Sequence, residues 1–374
     1  MTHSNLHPNS SSSKFRAGFY IPFVTSLCLL VFLGLAWPTD DSSIPNGSSF
    51  SEFGCKRTLV RKEWRTLSNT QKAAFIGAVR CTQTLPNMTT YEGVRTRYDD
   101  FQAVHIHTAD TVHYVGHFLP WHRGFVKMYE DVLREECGYD DAIPYWDWEV
   151  DIDSGQPVQK SPIFDPKTGF GGDGVPGTYT LPSNISSISL SDLMPSTFKG
   201  CVLDGPFSSA HYTVHLGPGK LITSHCLVRG IDNSVAHYLS SEVVNHALRA
   251  ADYARFREAL EGKPGEESEH ESGHMIIGGD FGNFYSSPAD PIFFLHHANL
   301  DRIWWTWQTI DLKTRLFDVS MSNHQTHRRQ ERPGKSQEAL EYMLDYGQLS
   351  QLPLFRTIRE VMDVRGAPLC YAYV

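Results

Sequence analysis

Six histidines in this chain fall into two triplets, His105, His113 and His122 in one and His270, His274 and His297 in the other. Each triplet has the spacing that a pair of antiparallel helices needs to hold one metal ion. Neutral imidazoles with no companion thiolate suit a borderline first-row metal, and copper heads the affinity order for such nitrogen sites. Two such sites facing each other would bind dioxygen between two coppers. His107 and His117 lie in the first stretch and compete for the same role, and His296 adjoins His297.

His113 and His122 are too far apart for one helical turn, and Pro120 lies between them. They need a loop that carries His113 and then a helix that carries His122. In His270-Glu271-Ser272-Gly273-His274 the i, i+4 spacing sets both imidazoles on one helical face. Asp301 stands about one turn after His297 and could accept a hydrogen bond from a ligand imidazole, fixing its tautomer. The same string spells H-E-x-x-H, the signature of zinc proteases. That alternative wants a third ligand after a Gly turn or a Glu further along a helix. Ile277 occupies the turn position, no Glu follows until Glu331, and Ser272 and Gly273 weaken the helix.

These residues must be positioned by helices. A capped helix is expected from Thr70 to Ala78, with Ser68 or Asn69 as its cap, then one carrying His105 and one from about Leu119 to Cys137 stopped by Gly138. Helical pattern returns over 240–260 and 291–311, the latter strongly apolar from Phe293 to Trp307. Residues 151–230 are rich in Gly, Pro, Ser and Asp and read as loops with short strands, tied by Cys201 and Cys226. The polar stretch 318–337 reads as surface. No repeat or long linker interrupts the chain after residue 55, which favours one large domain over 55–374.

Among 374 residues the formal charge is −9, which argues against nucleic acid as a partner. Residues 1–18 form a polar tail expected in the cytosol, and 38–54 a Ser/Asp/Gly/Pro-rich stalk. Between them the uncharged run 19–37 is long enough, at roughly 28 Å as a helix, to cross a bilayer. Lys14 and Arg16 precede it, Asp40 and Asp41 follow it, and Leu35-Ala36-Trp37-Pro38 is a poor cleavage site. It reads as a transmembrane signal anchor with a lumenal or extracellular domain, a secreted form after cleavage being the alternative. Six cysteines follow Cys28, an even number that suits disulfides in an oxidising compartment; fifteen connectivities are open. Asn46, Asn87 and Asn184 begin glycosylation sequons in the same part of the chain.

Two strings are specific enough to carry a resemblance. Phe118-Leu119-Pro120-Trp121-His122-Arg123 and Asp290-Pro291-Ile292-Phe293-Phe294-Leu295-His296-His297-Ala298-Asn299-Leu300-Asp301-Arg302 resemble the tyrosinase family of type 3 copper proteins, which includes tyrosinases, catechol oxidases and molluscan haemocyanin domains. Ile276-Ile277-Gly278-Gly279-Asp280 and Trp304-Trp305-Thr306-Trp307-Gln308 are similar to short fungal members. The resemblance implies a mainly α fold, an antiparallel four-helix bundle holding two coppers, with extensive loops and a few short strands. It implies His105, His113 and His122 as ligands of one copper and His270, His274 and His297 of the other. His107, His117 and His296 become structural or support the ligands from behind, while Phe118, Asn299 and Asp301 support the ligands. Tyr371-Ala372-Tyr373 matches the motif that ends the family's domain. It implies a pairing with Arg57 or Arg61 that brings Cys55 and Cys370 close enough for a disulfide.

Departures from the family are as informative. Where many members carry a cysteine crosslinked to the second ligand, this chain has Thr111, so no thioether is expected. Glu271 stands where monophenol hydroxylases often have an Asn that helps hold a water for substrate deprotonation. The gate position falls on Phe284, a bulky residue typical of catechol oxidases, and Phe293 is expected to help shape substrate entry. No large lid domain is expected after His297. The implied activity is copper-dependent oxidation of phenols or catechols by dioxygen to o-quinones, with ortho-hydroxylation of monophenols or tyrosyl residues as its extension. A small phenol or a tyrosine-containing peptide of secondary metabolism is the implied substrate. A haemocyanin-like oxygen carrier is the rival reading.

Overall fold

Several helices begin with their own hydrogen-bonding instructions. In the computed structural model, which describes residues 54–181, 198–320, 336–353 and 355–374, α1 spans Asn69–Thr82 and α2 Arg97–Val112. Both open with a capping box, Ser68 with Gln71 and Thr96 with Asp99, so that two otherwise orphaned donors are satisfied at each start. α3 runs over Phe118–Glu135 with Pro120 in its first turn, where a missing N–H costs no helical bond. A short α4, Trp148–Asp153, leads into the loop region.

The sequence over 240–260 reads as one helix but folds as two, α5 at Ser241–Leu248 and α6 at Tyr253–Glu261. Asp252 is the reason: its side chain accepts from the Arg255 N–H and starts a new helix. α7, Glu269–Ile277, is capped by Ser268 and ends at Gly278, whose φ of 63° few other residues adopt. α8, Ile292–Ile310, is buried along most of its length and packs chiefly on α3. The aromatic core, including Trp121, Phe125, Tyr129, Phe293, Phe294 and Trp304, lies at and around that contact.

Strands are few. β1 (Leu59–Arg61) pairs in parallel with β4 (Tyr371–Tyr373), and β2 (Gly200–Cys201) pairs antiparallel with β3 (Val228–Arg229). The region 151–230 is therefore loops and short strands where described, as its composition requires, and the Cys201–Cys226 disulfide ties it. Arg229 makes this region part of the scaffold. It forms a bidentate pair with Asp290, just ahead of α8, and donates to the Gly171 carbonyl at 2.7 Å.

Two further disulfides, Cys55–Cys370 and Cys81–Cys137, complete the pairing of the six cysteines, and three such bonds fit an oxidising compartment. Asn87 is exposed, consistent with a sequon on the surface. The polar tail, the apolar run 19–37, the stalk up to residue 53, Asn46, Asn184 and residues 321–335 lie outside the described residues. Among the described residues no helix is long and apolar enough to cross a membrane.

Candidate metal centre

Four helices deliver the six histidines to one buried place. His105 projects from α2, His113 is the first residue past its end in extended conformation, and His122 sits one turn into α3. His270 and His274 lie on α7 and His297 on α8. Within each triplet the available ring nitrogens lie within 4.8 Å of one another. The triplets also abut: the rings of His122 and His297 stack at 4.4 Å, and those of His113 and His270 at 5.8 Å.

Backbone carbonyls fix how four of these rings present themselves. His105 Nδ1 donates to the Tyr285 carbonyl (2.7 Å), His113 Nδ1 to Ala109 (2.9 Å), His122 Nδ1 to Phe118 (2.9 Å) and His274 Nδ1 to Phe281 (2.8 Å). A carbonyl can only accept, so the proton sits on Nδ1 and the Nε2 lone pair is left for a metal. His105 Nε2, His122 Nε2 and both ring nitrogens of His270 and His297 are buried without a hydrogen-bond partner. Orphaned buried nitrogens are costly unless something binds them, and a metal ion is the group that fits. Burial also keeps the rings neutral. It lowers His113 to about 4 and His274 to about 3, and holds the other four well below the ordinary imidazole value.

The three rival histidines have other occupations. His107 is exposed and stacks on Tyr91 at 4.2 Å. His117 Nε2 donates to the Thr111 carbonyl at 3.0 Å, and its ring stacks on Tyr342. His296 is harder to separate, because its nitrogens fall within the same 4.8 Å grouping as His270, His274 and His297. Trp148 Nε1, however, donates to His296 Nδ1 at 3.3 Å. The neutral ring then carries its proton on Nε2 and has no lone pair to offer.

Phe118 lies among the imidazoles, with ring centroids 4.7 Å from His122 and 4.8 Å from His270. Asn299 is buried and accepts from Arg302 at 2.7 Å. Asp301 is a correction: it accepts from no ligand histidine. Its carboxylate is taken by Arg61, Arg123, Tyr371 and Tyr373, since two buried guanidinium groups outcompete an imidazole for it. Arg61 rather than Arg57 is the partner of the terminal tyrosines, its guanidinium 3.6 Å from the Tyr371 ring centre.

A narrow cleft reaches the centre, lined by His113, His270, Glu271, His274, Gly282, Asn283, Phe284 and Ser287. Phe284 stands over the first triplet, 4.9 Å from the His113 ring and parallel to Tyr114. Glu271 is half-buried, and burial, reinforced by Glu267, pushes its carboxyl up to about 7. Phe293 is fully buried with its ring 4.2 Å from His297, so it forms the floor of the centre and not its entry.

Sequence reasoning passed over three supports. Glu261, at the end of α6, is buried and accepts from the Tyr114 N–H and from Arg257. It thereby holds Tyr114 at a φ of 57°, immediately after His113. Burial raises its carboxyl to about 8 despite Arg257. Gly273 leaves the space in α7 that His296 fills. Tyr285 contributes only its carbonyl to His105. A Gly inside a helical pattern was the one visible signal; the others depend on contacts between distant segments.

Comparison with known proteins places this geometry. The common central domain of tyrosinase matches residues 95–310. The tyrosinase-like protein phomQ1 of Diaporthe leptostromiformis is 37% identical over 346 residues, covering 85% of this chain and 78% of that one. The N-acetyl-6-hydroxytryptophan oxidase ivoB of Emericella nidulans is 32% identical over 345 residues, with 84% and 92% covered. Among solved structures, a mutant form of the polyphenol oxidase from Thermothelomyces thermophila superposes with a TM-score of 0.70 at 32% identity, covering 85% of this chain and 89% of that one. The H-E-x-x-H string is thus no zinc-protease site; the matches are to tyrosinases and oxidases, and a second triplet of histidines faces it. The chain belongs to the tyrosinase family, and is a type 3 copper oxidase that uses a copper pair and dioxygen to oxidise phenols.

Proposed function

We propose that this enzyme oxidises catechols to o-quinones and hydroxylates monophenols ahead of that step, with His105, His113 and His122 holding one copper and His270, His274 and His297 the other. The observation that carries the reading is the set of buried imidazoles whose Nδ1 protons are committed to backbone carbonyls while their remaining nitrogens converge. When bound, the copper pair supplies the electron transfer between dioxygen and the phenol. The chain's own share is to keep six rings neutral and fixed, to exclude water with Phe118 and Phe293, and to admit a flat ring past Phe284. Glu271 is the carboxylate on the cleft wall, and it accepts the phenolic proton. A phenol of secondary metabolism, or a tyrosyl peptide, is the substrate class proposed; the fungal tyrosinase-like and oxidase relatives support the phenol. A domain beyond a membrane anchor over 19–37, glycosylated at Asn46, Asn87 and Asn184, is the accompanying proposal for where it acts. Glycosidase digestion and membrane fractionation of the full chain test it; unchanged mobility and a wholly soluble product would refute it.

Oxygen uptake by the copper-loaded protein with a monophenol, a catechol and a tyrosyl peptide tests the function. Turnover of the catechol is the expected result, and reversible oxygenation without turnover would indicate a carrier. Replacing His297 by Ala should leave about one copper per chain and abolish uptake; two retained coppers would overturn the ligand assignment. Phe284→Ala should speed bulky phenols more than small ones, and equal effects on both would remove its gate role.

A further inference from the structure

A second cleft, of about 540 Å³, shares no lining residue with the one at the metal centre. One wall is the C-terminal half of α1, where Gly77, Arg80 and Cys81 follow helical spacing on one face. Thr96, which caps α2, and residues from the segment 211–215 stand around it. The chain carries a formal charge of −9, yet no acidic side chain lines this cleft. Arg80 is exposed in it and forms no ion pair among the described residues. Gln83, at the C-cap of α1, lines the same wall and has its Nε2 buried without an acceptor. The carbonyls that would make this helix end negative are covered, since those of Arg80 and Cys81 accept from the Gln83, Thr84 and Leu85 N–H groups.

Glycine is the poorest helix former after proline, and a Cβ at Gly77 would meet nothing within 4 Å. Packing therefore gives no reason for a glycine there. A ligand lying along α1 does, because a side chain at 77 would occupy the cleft. Across from α1, His215 turns Nδ1 to Asp99 at 2.8 Å, and the same carboxylate oxygen accepts from the Arg95 and Thr96 N–H groups. Asp99 thus holds the ring with Nε2 left for the cleft, and the pair adds no net positive charge. The one fixed positive charge on the lining is that of Arg80, which matches a monoanion such as a carboxylate better than a phosphate dianion. His211 and His215 would suit a metal ion, but Arg80 in the same cleft repels one. We infer that this cleft binds a small organic acid that carries hydroxyl groups. Its carboxylate sits on the Arg80 guanidinium and the Gln83 amide, and one of its hydroxyls donates to His215 Nε2.

Calorimetric titration of the copper-loaded full chain with quinate, an alicyclic polyhydroxy acid, tests this. Cyclohexanecarboxylate, which lacks the hydroxyls, and myo-inositol, which lacks the carboxylate, are the two halves of the probe. Quinate should occupy a single site per chain with a Kd of roughly 1 mM, as a ligand of its size allows. Each half should bind about 10-fold more weakly, the loss expected for a missing charged or neutral hydrogen bond in the cleft. Arg80→Gln should weaken quinate by about 10-fold as well. Gly77→Leu fills the cleft without meeting any neighbour at its Cβ, so it should abolish quinate binding while keeping the copper content and melting no lower than wild type. No saturable heat with quinate in wild type would overturn the inference. So would binding that survives in Gly77→Leu, as attachment at the copper centre would, or either half binding as tightly as quinate.

Discussion

Gly273 shows how a single missing methylene can define a metal centre. Mid-helix glycine costs about 1 kcal/mol relative to alanine, so on helix propensity alone Gly273→Ala should stabilise α7. A Cβ there would lie 2.2 Å from His296 Cε1, and His296 is fully buried with its Nδ1 on Trp148. The ring has no room to retreat, so α7 must move away from α8 and carry His270 and His274 away from His297. Gly273→Ala should therefore cost roughly 1–3 kcal/mol, as overpacking does, and lower copper below two per chain. Thermal melts with copper analysis check this, and a raised Tm with full copper would contradict it. At this scale the sequence is legible where chemistry sits on one helix face, as with His270 and His274. It is less so for His296, whose neighbour Trp148 is distant in the chain, and for Glu261, which belongs to no local motif.

Among elements, the helices were readable where their caps and stops are local, as with Ser68 ahead of α1 and Gly138 after α3; the stop of α7 at Gly278 went unread. The break at Asp252 was obscured because apolar residues keep a helical spacing on both sides of it. The loop region shows what such segments do without regular structure. His225, beside the Cys201–Cys226 disulfide, donates from Nε2 to Asp280 at 3.1 Å, and Asp280 also accepts from the Val228 N–H. This clamps β3 against the turn that follows α7. Burial works to lower the His225 pKa, but the Asp280 carboxylate outweighs it and raises the group above its ordinary 6.5. A raised folded pKa means the unfolded chain loses this proton first as pH rises. The stabilisation is thus complete below about 6.5 and fades as pH climbs through the higher folded value. His225→Asn should lose more stability at pH 6 than at pH 9, measured by denaturant unfolding; an equal loss at both would show that the pair contributes no charge.

At the level of the whole molecule, both ends of the domain meet behind the metal centre. The Cys55–Cys370 bond spans 315 residues, β1 pairs with β4 beside it, and Arg61 of β1 reaches Asp301 on α8. Tyr371 and Tyr373 donate to the same carboxylate at 2.5 Å each. The family motif made the terminal tyrosines and an arginine legible, but not Asp301 as their shared partner, because its place one turn past His297 suggested a histidine instead. Arg123, next to His122, donates to the other oxygen of Asp301, so this one carboxylate ties the chain ends to α3 and α8. Burial works to raise the Asp301 pKa, and Arg123 and Arg61 override it and hold the group below the ordinary carboxylate range. Its contribution is therefore present above about pH 4 and is lost as pH falls through the lower folded value. Asp301→Asn leaves Arg61 with Glu130, whereas Arg123 keeps only neutral acceptors at Val361, Met362 and Gln308 among the described residues. Stranding a buried guanidinium costs about 3–5 kcal/mol. Asp301→Asn should accordingly unfold well below wild type at neutral pH, with the gap closing on acidification below pH 4. A Tm within a degree of wild type at pH 7 would mean that the disulfide and β1–β4 hold the ends together without the carboxylate.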